Sequence, residues 1–141
     1  MKKILFAVLL CLPFVASAQE DYEMGSYWSI TGVDTKPGQF DAYVGDLKGL
    51  WAKQMDAMIE MGKVKSYKLL ANVHARHDEP DMWLMVEWVS AGAMMDTPYE
   101  EWQALTKKFV GSEEKSRDLN IKRGDLRTIL SESLVREFTL R

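Results

Sequence analysis

Apolar residues recur along this chain with two different periods, and the switches between them predict six elements. Tyr27-Trp28-Ser29-Ile30-Thr31-Gly32-Val33 is rich in aromatic and β-branched residues and reads as a strand. Its apolar side chains fall on both parities, Trp28 and Ile30 against Tyr27 and Val33, which predicts cover on both faces. Asp34 to Gly38 is a turn, with Pro37 suited to the start of a helix. Beyond it Phe40, Val44, Leu47, Trp51, Met55 and Met58 follow at steps of three and four. That spacing is one apolar helix face over about six turns, and Gly62 is placed to cap it. Gly45 and Gly49 inside the helix either admit a close backbone neighbour or mark a tolerated kink.

Val64 to His74 predicts a second strand, in which Tyr67, Leu69, Ala71 and Val73 alternate with polar residues. The polar turn Arg76 to Asp81 links it to Met82–Val89. That unbroken apolar run predicts a central strand, hairpinned to the one before it. Thr97-Pro98-Tyr99-Glu100 has the form of a capping box and opens a helix with Trp102, Leu105 and Phe109 on one face. Ser112 to Arg127 is polar and suggests no more than a short extra helix before Gly124. Ser133 to Leu140 closes the chain as a fourth strand, with Leu134, Phe138 and Leu140 on one parity.

The order strand, helix, strand, strand, helix, strand predicts an α+β fold: a ferredoxin-like βαββαβ sheet with two helices on one face. Helices on one face leave the other bare, yet Tyr27, Val33, Trp83, Met85 or their opposite-parity neighbours place apolar groups there. A second copy is the simplest cover, because a bare aromatic face exceeds a normal surface patch and two-fold homodimers are the commonest oligomers. The expectation is a homodimer.

Ahead of these elements stand Lys2-Lys3, an apolar run from Ile4 to Leu12, Pro13, and the small residues Ala16-Ser17-Ala18. These are the parts of a cleavable signal peptide, and the run is shorter than the ~20 residues of a bilayer-spanning helix. Residues 1–18 are expected to direct export to the periplasm or beyond, 19–25 to form a flexible leader, and 26–141 to be one domain. Cleavage after Ala18 removes two of the 18 basic residues, none of the 21 acidic ones, and Cys11, the single cysteine. It leaves 123 of the 141 residues, with a net charge of −5 for neutral histidines and no thiol. Disulfides, thiolate metal ligands and cysteine nucleophiles are thereby excluded, and an apolar core must hold the domain. Scattered basic residues in an acidic chain argue against nucleic acid as a partner and, after cleavage, against a membrane surface.

The Pro37-Gly38 turn into a long helix, and the Val86-Glu87-Trp88-Val89-Ser90 strand end followed by a helix, resemble the dimeric α/β-barrel superfamily over residues 26–141. The second segment is similar to the third strand of antibiotic-biosynthesis monooxygenase-like and stress-responsive barrel domains. The resemblance implies two ferredoxin-like sheets paired face to face, with a small ligand held between sheet and helices. For an enzyme, it implies cofactor-independent oxygenation or proton transfer. Ala91 to Thr97 lacks the histidine those families often carry there.

Glu87 is the sharpest candidate for catalysis, being the one charge in Met82–Val89 and sharing parity with Trp83 and Met85. Apolar surroundings raise a carboxyl pKa and equip the group as a general acid or base. Tyr67, Asn72 and Arg136 stand on neighbouring strands, where they can complete a polar cluster. Alternatively, Arg136 or Lys68 pairs with Glu87 in a structural ion pair. Trp28, Trp51, Tyr67, Trp83, Met85 and Arg136 are the candidate lining for a flat apolar or aromatic ligand, and the aromatics and methionines suit an ordinary core equally. His74 and His77, the only histidines, precede Asp78, Glu79 and Asp81 and are candidate ligands for zinc, copper or nickel. On a strand they point to opposite faces, so they converge only if the turn begins early. No cofactor is predicted, with metal or haem left open; phosphate loop, nucleophile elbow and zinc-spaced cysteines are all missing. The sequence reads as an exported homodimer that binds a small molecule, with a non-catalytic interaction dimer as the alternative.

Overall fold

The computed structural model describes residues 21–141. The signal-peptide reading of residues 1–18 lies outside them. Four strands are present: β1 Tyr22–Thr35, β2 Val64–Ala71, β3 Met82–Trp88 and β4 Arg127–Leu140. They form one antiparallel sheet in the order β2-β3-β1-β4. From β1 to β2 runs a helix in three parts: α1 Phe40–Asp46, a π turn Leu47–Trp51, and α2 Ala52–Glu60. After β3 come α3 Ala91–Met95, α4 Tyr99–Phe109 and α5 Glu113–Arg123. This is the α+β, ferredoxin-like topology that the element order predicts. Among the described residues no helix is long and apolar enough to cross a membrane.

Register decides what is buried. Tyr27, Ser29, Thr31 and Val33 stand opposite Trp88, Val86, Leu84 and Met82. Directly paired residues share a face, and this one meets the helices. Val64, Val86 and Trp88 pack with Met55, Ala57 and Met58 of α2 and Leu105 of α4. Val33, Met82 and Leu84 pack with Tyr43 and Leu47. Each large side chain so buried contributes about 1.5–3 kcal/mol. From Val44 to Met58 the steps of three and four are therefore the core side of the long helix, whereas Phe40 is 38% exposed and the first turn buries Tyr43 in its place.

The glycines differ in the room around them. A Cβ at Gly45 or Gly49 would meet nothing within 4 Å, so neither admits a close neighbour; Gly49 lies in the π turn instead. At Gly32 a Cβ would sit 2.5 Å from Ser131 Oγ and 2.8 Å from Pro80 Cγ, so a side chain there requires both neighbours to move.

The structure departs from the sequence reading at element ends. β1 begins at Tyr22, so Tyr22, Glu23 and Met24 of the expected leader pair with Leu140, Thr139 and Phe138 of β4. β2 stops at Ala71 because Asn72 turns the chain: its amide donates to Pro80 O at 3.0 Å and its side-chain oxygen accepts the His74 N–H at 3.1 Å. Thr97 does not cap α4. Its hydroxyl donates to Ala93 O at 2.6 Å, and Pro98 takes the N-cap position without a side-chain bond. The helical layer also holds more than the two helices expected. α3 is capped by Ser90, whose Oγ accepts the Ala93 N–H at 3.0 Å. The ambiguous stretch becomes α5, capped by Ser112 through the Lys115 N–H at 3.2 Å, and β4 starts at Arg127 rather than Ser133.

Candidate functional site: the open face of the sheet

On the parity opposite the core, Trp28, Ile30 and Gly32 of β1 pair with Glu87, Met85 and Trp83 of β3. Ser66, Lys68 and Leu70 of β2 flank them on one side, and Val135, Ser133 and Ser131 of β4 on the other. The helices pack on the reverse side, so this face is open. Leu70 and Val135 are 46% and 40% exposed, while Ile30, Trp83 and Met85 are half-buried. Trp28 is the exception, at 8% exposure. Lys68 Nζ lies 4.8 Å from its ring centroid, and its Nε1 donates to Glu137 Oε2 at 3.2 Å. The lysine holds its charge over the ring.

Glu87 is the polar centre of this face. Ser66 Oγ donates to Glu87 Oε2 at 2.6 Å, and Lys65 Nζ lies 4.0 Å from Oε1 while donating to Ser26 Oγ at 2.8 Å. Hydrogen bonds from Ser66 and then Ser26 hold its carboxyl below the ordinary value, outweighing the opposing effect of burial; Lys65 and Lys68 add to the lowering. The raised pKa expected from its apolar sequence neighbours is thus reversed. Apolar residues flank Glu87 along the strand, but hydroxyls and an ammonium group reach its oxygens from the next strands.

Its expected polar partners are elsewhere. Tyr67 is on the helix side, where its hydroxyl donates to Asp56 Oδ1 at 3.0 Å and its ring meets Trp51 edge-on at 5.2 Å. Burial, then the Asp56 carboxylate, pushes the Tyr67 hydroxyl pKa up. Arg136 pairs with Tyr27 in the register; its guanidinium lies 5.0 Å over the Tyr27 ring and its Nε donates to Gly25 O at 3.4 Å. The candidate ligand lining therefore divides. Trp28, Trp83 and Met85 stand with Glu87 on the open face, whereas Trp51, Tyr67 and Arg136 belong to the other. The sheet itself lies between the two sets, so they line no common cleft.

His74 and His77 stand in the exposed hairpin between β2 and β3. His77 Nδ1 lies 2.7 Å from Asp78 Oδ1, and Asp78 takes a left-handed φ of 70° at the tip. Among the described residues no group of three or more His, Cys, Asp or Glu side chains gathers where it could hold a metal ion.

Sequence reasoning missed the clefts on the two flanks of α5. The larger, about 600 Å³, lies between α4 and α5 and includes Tyr99, Trp102, Arg117 and Ile121. The smaller, about 400 Å³, lies towards the π turn. The only signals of them in the sequence are Gly49 within an apolar helix pattern and the polarity of Ser112 to Arg127.

No protein-family model matches the sequence. No curated protein matches it either. Solved structures do match. A dimeric ferredoxin-like protein from an uncultured marine organism superposes with a TM-score of 0.46 at 10% identity, over 83% of this chain and 94% of that one. A protein from Pseudomonas aeruginosa superposes with a TM-score of 0.39 at 14% identity, over 82% of this chain and 95% of that one.

Proposed function

We propose that this chain is an exported, non-catalytic binding domain that works as a two-fold homodimer, open sheet face against open sheet face. The observation that carries the reading is the composition of that face. Ile30, Leu70, Trp83, Met85 and Val135 make an apolar centre, and the polar groups around it carry both signs, Lys65 and Lys68 with Glu87 and Glu137. A two-fold axis sets such a patch against itself, so the apolar centre meets its own copy, and flanking charges of both signs give opposite charges a way to meet across the axis. The state of Glu87 supports a binding rather than a proton-transferring role. A carboxyl held below its ordinary pKa is ionised at neutral pH and a weak base, suited to an ion pair and poorly suited to proton abstraction. Export rests on the pattern of residues 1–18.

Sedimentation of the chain beginning at Gln19 tests the assembly. A dimer is expected at micromolar concentration, and Met85→Arg is expected to give a folded monomer with unchanged far-UV circular dichroism. A monomeric parent would overturn the reading. The N-terminal sequence of protein recovered from an exporting host tests the address: Gln19 is the expected first residue, and an intact Met1 would refute cleavage.

A further inference from the structure

We infer that the smaller cleft beside α5 binds a small apolar molecule bearing one anionic group, such as an aliphatic or aromatic carboxylate. α5 has no buried residue. It is held at its ends: Arg123 Nε donates to Asp46 Oδ2 at 2.6 Å, and Tyr99 and Gln103 donate to Glu113 Oε1 at 3.0 and 2.7 Å. A helix pinned at its ends, with only Ser116, Leu119 and Arg123 half-buried along it, leaves room on its flanks. On the flank towards the π turn, Leu50, Phe109, Val110 and Leu119 form a half-buried floor. Lys115, Asp118 and Lys122 stand at its rim. Its volume of about 400 Å³ falls within the range of about 300–1,000 Å³ typical of small-ligand sites.

The lining specifies the ligand. The floor asks for an apolar body. The rim carries two cations, Lys115 and Lys122, against one anion, Asp118. Lys115 and Lys122 take part in none of the ion pairs found among the described residues, so their charges are open to a ligand. Gly49 is an independent pointer. It lines this cleft from within the π turn, and a Cβ there would meet nothing within 4 Å. Glycine inside a helix costs about 1 kcal/mol relative to alanine, and π turns recur at functional sites. No backbone neighbour needs the missing side chain, so its absence leaves open space in the cleft wall. The cleft lies in the helical layer, away from the proposed dimer face, and the inference does not depend on assembly.

The test is a fluorescence titration of the chain from Gln19 with anilinonaphthalene sulfonate, followed by displacement with octanoate and with octanol. One saturable site per chain is expected, displaced by octanoate at least about tenfold better than by the neutral alcohol, the scale of one ionic contact. Gly49→Leu, which grows into the cleft, is expected to abolish binding; Gly49→Ala is expected to bind like the parent and melt no lower. Replacing Lys115 and Lys122 together by Gln is expected to weaken octanoate about tenfold and erase its advantage over octanol. The proposal fails if folded Gly49→Leu binds like the parent, if octanol competes as well as octanoate, or if the parent shows no saturable site. Should Gly49→Leu not fold, the lysine variant decides by the same criterion. Sedimentation of the same samples reads the dimer separately, so either idea can fall alone.

Discussion

Alternate residues of β3 meet opposite fates. Met82, Leu84, Val86 and Trp88 are 2–7% exposed, sealed by the long helix and α4, whereas Trp83, Met85 and Glu87 remain half-buried on a face without helices. Each set holds a tryptophan and a methionine, and Glu87 is the one charge between them. The source of their cover separates them: one set is buried by its own chain, the other by the proposed second copy. Burial within a chain stabilises at any concentration. Burial between copies stabilises by mass action, so its contribution rises with protein concentration.

Truncations on the two faces sharpen that contrast most. Met58→Ala removes a side chain that is 1% exposed under the helix-covered face. It should cost about 2–5 kcal/mol in denaturant unfolding, by the same amount at low and high protein concentration. Met85→Ala should shift the melting temperature mainly at concentrations where the parent is dimeric. A Met85 effect independent of concentration would erase the distinction between the faces.

Gly32 tests the rigidity of the open face itself. A methyl group there must displace Ser131 or Pro80, and Gly32→Ala should cost about 1–3 kcal/mol of stability, the usual scale of overpacking. A variant as stable as the parent would show that β4 and the β2–β3 hairpin yield easily at this point.

Glu87 should give the smallest effect. Replacing it with Gln keeps a partner for the Ser66 hydroxyl but loses the charge, at about 1 kcal/mol. The pH dependence carries a sign. The folded carboxyl is held below the 4.5 of an ordinary glutamate, so on acidification the unfolded chain takes up this proton first. Its stabilisation is complete above about pH 4.5 and is lost as pH falls through the lower folded value. Thermal melts of parent and Glu87→Gln should therefore converge in acid and separate towards neutral pH. A gap that instead widens in acid would mean that the carboxyl is held above its ordinary value.

Much of the fold was legible because the pattern was local. Steps of three and four from Phe40 to Met58 marked the long helix, and the opposed parities of Tyr27/Val33 and Trp28/Ile30 proved to be the two faces of β1. Misplaced ends trace to hydrogen bonds that periodicity does not carry. Thr97 looks like a cap for α4, yet it bonds backward to α3. The candidate site was less legible. Glu87 was placed correctly on the parity of Trp83 and Met85 but assigned the wrong direction of pKa, because the hydroxyl that sets it belongs to Ser66, 21 positions away. Residue type groups Trp51 and Tyr67 with Trp28, although the sheet divides them.

The sequence by itself determined the order of the four strands and the two main helices, the two-sidedness of the strands and the confinement of the only thiol to residues 1–18. Each of these comes from residue type and near-neighbour spacing. Tertiary structure alone decided which parity meets the helices, what charge state Glu87 holds, and how Trp28 is covered by Lys68 and by Glu137, 109 positions away. It also decided that α5 buries no residue and leaves a cleft beside Gly49. The physical reason is common to all four: burial and electrostatics depend on distance in space, and in this sheet the nearest groups come from strands and helices far apart in the chain.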